Sequence, residues 1–153
     1  MYGQYAPTAA QAPANERARF LVKTYAHLTG AIFAFVAIVA GIFASGYAEA
    51  IAQTMLGVSW LLVIAAFMGV SYAANALARS GASQAKQYAG LGLYVVAEAF
   101  IFVPLIYLVL ITAQESGAPT AGLELLAEAG AITVGMFAGL SAIVFLTRMN
   151  FSF

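Results

Sequence analysis

Two ionisable side chains lie where a membrane would leave them little water. Glu98 sits near the middle of the apolar stretch YAGLGLYVVAEAFIFVPLIYLVLI (residues 88–111), and His27 sits in LVKTYAHLTGAIFAFVAIVAG (21–41). Ten residues past Tyr88, at ~1.5 Å of rise each, the Glu98 carboxyl is about 15 Å deep in a helix, the midplane of a hydrocarbon core about 30 Å thick. An ionised, unpaired carboxylate there costs on the order of several kcal/mol, so the group must be protonated, paired or wet. His27, seven residues past Phe20, is about 10 Å in from the edge. A Glu98–His27 contact is possible if their helices touch. Low dielectric favours the neutral form of both group types, which makes a proton-linked gate one reading of the pair. The other reading is structural: a neutral acid bonded to a hydroxyl or carbonyl, and an interfacial histidine satisfied at the basic edge. For Glu98 the two weigh about equally; for His27 the structural reading weighs more.

Pro104, six residues past Glu98, removes one backbone hydrogen bond and frees the Phe100 carbonyl, so a kink is expected in the outer half of that helix. Ser71, Tyr72 and Asn75 are polar residues in an otherwise apolar segment, where bonding between helices is the default expectation. No nucleophile–base pair, Gly-rich phosphate loop or set of convergent metal ligands is present, and there is no Cys. Neither catalysis, a metal site nor a cofactor is expected.

The elements that must position these groups follow from composition. Of 153 residues, 63% are hydrophobic and 8% charged, with mean hydropathy +0.92. Globular chains carry about 25% charged residues, so this chain lacks the polar surface to cover a soluble domain. Six basic and six acidic residues balance to zero without any basic run, which argues against nucleic-acid binding. The expected fold class is all-α: a polytopic integral membrane helical bundle in contact with the lipid bilayer. Four spans are expected, at about 20–44, 55–77, 88–111 and 122–146, within a transmembrane domain 19–153. Residues 1–18 are expected as a disordered cytoplasmic tail, its first fifteen (MYGQYAPTAAQAPAN) without a charged side chain and lacking the pattern of a secretory signal. The linkers are Ser45–Thr54, the polar turn Ala78–Gln87, and Thr112–Thr120. Trp60 is expected a few residues inside the second span, at the level of an aromatic belt.

Charge sets the orientation. With four spans, Arg17, Arg19, Lys23, Arg79, Lys86 and Arg148 fall on one side, and Glu49, Glu115, Glu124 and Glu128 on the other. The positive-inside rule then places both termini in the cytoplasm. Small residues recur at four-residue spacing: Ala26, Gly30 and Ala34; Ala65, Gly69 and Ala73; Gly135 and Gly139. Such spacing lets helix backbones approach, so Gly30, Gly69, Gly135 and Gly139 are expected at helix contacts.

Three segments carry a family resemblance. The lead-in ERARFLVKTYAHLTGAI, the stretch GLGLYVVAEAFIFVPLIY with its Pro104, and the close AGAITVGMFAGLSAIVFLTRMNFSF with Thr133 resemble, in this order and spacing, bacterial members of the Bax inhibitor family (transmembrane Bax inhibitor motif proteins). The resemblance covers nearly all of the chain after the tail. It implies an all-helical membrane bundle of six or seven spans with a cytoplasmic N-terminus, of which this chain resembles the N-terminal four-span portion. It also implies cell-stress protection and a pH-sensitive calcium leak in the complete protein. Some bacterial members are inhibitors or substrates of a membrane-bound ATP-dependent protease. The chain departs from the family in one respect: it contains no Asp, whereas the family's paired Asp residues lie on helices beyond the equivalent of Phe153. No pore residue carries over.

The functional expectation is therefore a Bax-inhibitor-like protein of the bacterial inner membrane, serving membrane and stress homeostasis, with a pH-sensitive calcium (cation) leak in the complete protein. The alternative is a non-transporting subunit or modulator of a larger membrane complex such as a membrane protease.

Overall fold

In a computed structural model of the chain, residues 13–79 and 83–147 are described. They form α1 (Ala14–Ala44), α2 (Ala48–Leu56), α3 (Trp60–Arg79), α4 (Gln84–Glu115) and α5 (Pro119–Thr147), with no strand among the described residues. Four helices carry windows long and apolar enough to cross a membrane: Arg19–Ala44, Trp60–Arg79, Gln84–Glu115 and Pro119–Ile143. Together with the large apolar side chains they leave exposed, such as Phe33, Leu61, Met68 and Val134, this makes the chain an integral membrane protein whose helices face lipid.

The helix ends have local causes. α1 starts directly after Pro13, whose carbonyl accepts the Glu16 N–H at 3.0 Å. Residues 14–18 are thus helical where a disordered tail was expected; residues 1–12 of that tail lie outside the described residues, as does Arg148. The α4–α5 turn shortens the expected loop Thr112–Thr120 to Ser116–Ala118. Gly117, at φ +76°, donates to the Gln114 carbonyl at 3.1 Å, and Ala118 donates to Ala113 at 3.0 Å. This paired closure needs a residue in the left-handed region, which glycine occupies without a Cβ clash. Pro119 then opens α5, where a missing N–H costs nothing.

The expected linker Ser45–Thr54 is in large part the helix α2, and the expected second span from Met55 starts instead at Trp60. Gly57 ends α2 by donating to the Gln53 carbonyl at 2.8 Å, and the Ser59 carbonyl begins α3 by accepting from Leu62 at 2.8 Å. With 9 residues, α2 is about 13 Å long, too short to cross. Trp60 accordingly stands at the first residue of its span.

The chain divides into two compact units, with boundaries at Leu28/Thr29 and Leu126/Ala127. The unit Thr29–Leu126 is organised around α4, which packs against α2 and α3. Its buried positions Val95, Ala99 and Val103 recur every four residues, one face of the helix. Val103 is fully buried against Ala48 and Ala52 of α2, with Ile42, Phe43, Ile51 and Tyr107 around them. α3 and α4 run antiparallel, since Phe67 meets Tyr94 while Ala74 and Leu77 meet Gly90. In the other unit, Tyr25 of α1 meets Phe137 of α5, ring centroids 5.7 Å apart.

Within the unit Thr29–Leu126, close approaches occur at Gly90 and Gly122. A Cβ built on Gly90 would lie 2.6 Å from the Ala74 carbonyl oxygen and 3.0 Å from the Ala78 nitrogen; one on Gly122 would lie 3.0 Å from the Ala113 Cβ. A Cβ on Gly30, Gly69, Gly135 or Gly139 would meet nothing within 4 Å among the described residues.

Candidate functional site

Glu98 lies near the middle of the 32-residue α4 and is half-buried. It directly precedes the fully buried Ala99, at the border of the packed face. One turn toward the helix start is Tyr94, which meets Phe67 of α3 with ring centroids 6.2 Å apart. One turn toward the helix end is Phe102, which meets Phe35 of α1 edge-on at 5.2 Å. Residues 94, 98 and 102 share one stripe of the helix. The carboxylate therefore occupies the stretch of α4 between its aromatic contact with α3 and its aromatic contact with α1. No hydrogen bond or ion pair to the Glu98 carboxylate forms among the described residues.

An open, apolar groove of about 380 Å³ is lined by residues of α3 and α4 including Val63, Phe67, Val70, Ala97, Phe100 and Ile101, and Glu98 is not among its lining residues. Pro104 is fully buried, and α4 runs through it as one helix. The ring's missing N–H leaves the Phe100 carbonyl without its usual donor four residues on.

His27 belongs to the other unit. Its Nδ1–H donates to the Lys23 carbonyl at 2.6 Å, and the ring is exposed. That bond ties the imidazole back to its own helix, toward the basic edge. The structure thus places Glu98 and His27 in separate units, each with its own surroundings.

Of the polar residues of α3, Asn75 is bonded within its own helix. Asn75 Nδ2 donates to the Ser71 carbonyl at 3.0 Å, Tyr72 is exposed, and the buried Ser71 Oγ has no partner among the described residues. Thr133 Oγ1 donates to the Ala129 carbonyl at 2.8 Å, a bond that lets a hydroxyl sit in an apolar helix. Among the described residues, no three His or acidic side chains converge as a metal site.

Sequence reasoning missed the two aromatic contacts that frame Glu98. The four-residue spacing of Tyr94, Glu98 and Phe102 was visible, but which helices those rings reach depends on packing. Phe35 and Phe67 carried no local signal that separated them from the chain's other phenylalanines.

The family model described as "Inhibitor of apoptosis-promoting Bax1" matches residues 17–153. No curated protein and no solved structure matches the chain.

Proposed function

The chain belongs to the Bax inhibitor family, and we propose that it is a pH-sensitive cation leak, with calcium as the ion, serving membrane and stress homeostasis in the bacterial inner membrane. The observation that carries this reading is the half-buried Glu98 carboxylate, set between the α1 and α3 contacts of a helix long enough to span. An ionisable side chain within a spanning segment is by default a candidate for an ion pathway. His27 is a second titratable group nearer the basic edge, and Pro104 supplies the point at which α4 yields.

In this reading both termini are cytoplasmic. Arg19, Lys23, Arg79 and Lys86 fall at one end of the spans, and Glu49, Glu115, Glu124 and Glu128 fall toward the other. No catalytic role is assigned. The test is calcium uptake by proteoliposomes across a range of pH. Wild-type uptake is expected to vary with pH and Glu98→Gln uptake to be insensitive to it; absence of flux, or an unchanged profile in the variant, defeats the reading.

A second reading rests on a different observation. The open space above Gly30, Gly69, Gly135 and Gly139 suits backbone-to-backbone docking onto another membrane protein. The chain would then be a non-transporting modulator of a larger complex, such as a membrane-bound ATP-dependent protease. Co-migration through native purification supports this reading, and a lone monomer opposes it.

A further inference from the structure

The first turns of α1 carry a patch that the leak reading does not use. Helix α1 is continuous from Ala14, while its membrane-compatible window begins at Arg19. Arg19 and Lys23 are exposed and four residues apart, so they share one face with about 6 Å of rise between them, the width of a phosphate group. Neither cation makes an ion pair or side-chain hydrogen bond among the described residues. Phe20 and Val22 beside them are 62% and 57% exposed. These four residues and Glu16 line one open depression of about 760 Å³.

The chemistry selects among anions. Arg19 and Lys23 supply positive charge to the depression. The apolar side chains add a surface that a free anion cannot use but an acyl chain can. At the boundary of a span, long basic side chains reach the headgroup layer while their stems lie on the apolar surface.

We propose that Arg19 and Lys23, with the apolar wall of Phe20 and Val22, form a binding site for the phosphodiester headgroup of an anionic phospholipid. The guanidinium gives directional donors to the phosphate oxygens, and the ammonium gives a point charge one turn deeper. The first acyl carbons follow Phe20 and Val22. The site is independent of Glu98 and of any ion flux.

The test uses the full chain in a neutral detergent, with short-chain phosphatidylglycerol, phosphatidylcholine or inorganic phosphate added, and reads bound lipid by native mass spectrometry alongside melting temperature. Phosphatidylglycerol is expected to bind and raise the melting temperature, whereas phosphatidylcholine and phosphate are not. The double variant Arg19→Gln, Lys23→Gln is expected to bind phosphatidylglycerol roughly thirtyfold more weakly, while Arg79→Gln, Lys86→Gln binds as wild type. Equal binding by the Arg19/Lys23 variant overturns the site. So does an equal loss in the Arg79/Lys86 variant, which would mean general attraction, or an equal response to inorganic phosphate. Should the Arg19/Lys23 variant not fold, a salt titration of the wild type decides instead: phosphatidylglycerol binding must weaken as salt rises, and salt-independent binding overturns the site.

Discussion

Phe35 of α1 meets Phe102 of α4 edge-on, with ring centroids 5.2 Å apart and planes at 86°. This places the positive rim of one ring against the negative face of the other, a favoured aromatic geometry. In lipid, where apolar surface alone gives helices little reason to associate, such a directed contact is one of the few that can hold α1 on α4. A double-mutant cycle of Phe35→Leu and Phe102→Leu, followed by unfolding in mixed micelles, is expected to show coupling of about 0.5–1.5 kcal/mol. Strict additivity would mean that the rings are merely adjacent.

Gly90 is the tightest point of the α3–α4 hairpin. Gly90→Ala sets a methyl 2.6 Å from the Ala74 carbonyl oxygen, a backbone atom that cannot step aside, whereas Gly92→Ala meets nothing within 4 Å. The first substitution is expected to destabilise by about 1–3 kcal/mol. The second should be neutral or slightly stabilising, because alanine favours the helix. Thermal unfolding of both variants side by side checks the contrast.

Gly117 holds φ +76° at the α4–α5 turn. Gly117→Ala forces a Cβ into the left-handed region and is expected to cost about 1–2 kcal/mol, although a Cβ there meets no neighbour within 4 Å. Gly130, in the body of α5 and equally open, supplies the control: Gly130→Ala should lose nothing. Equal melting temperatures for the two variants would rule out the conformational explanation.

Ala52 is fully buried in the cluster with Ala48 and Val103. Ala52→Leu has no room without pushing α2 off α4, and about 1–3 kcal/mol of destabilisation is expected. Protease sensitivity between α1 and α3 should rise with it, since α2 is held by this packing rather than by its own 9-residue length.

Most of the architecture was legible in the residues, and the parts that were not share a cause. The apolar runs that became α1, α3, α4 and α5 are set by length and composition, which act locally. Gly117 followed by Pro119 marked a turn there, although its extent was overestimated: the cap closes within three residues, where a polar stretch of nine suggested a loop. α2 was read as a linker because AEAIAQTML is too short for its own sequence to signal a stable helix. Its order comes from Ala48 and Ala52 lying on Val103, a residue about fifty positions away. The Glu98 position was legible for the same reason as the spans, since a charge stands out in an apolar run.

By itself the sequence determined that this chain lives in lipid, that four of its segments are long enough to cross, and that one acid sits midway along the third. These follow from hydrophobicity and the rise of a helix, neither of which needs a neighbour. The tertiary structure alone decided that Gly90 and Gly122 take close approaches, and that Glu98 lies between contacts to α3 and α1. Many registers of small and aromatic residues satisfy the same spacing, and only the fit of one helix surface against another selects among them.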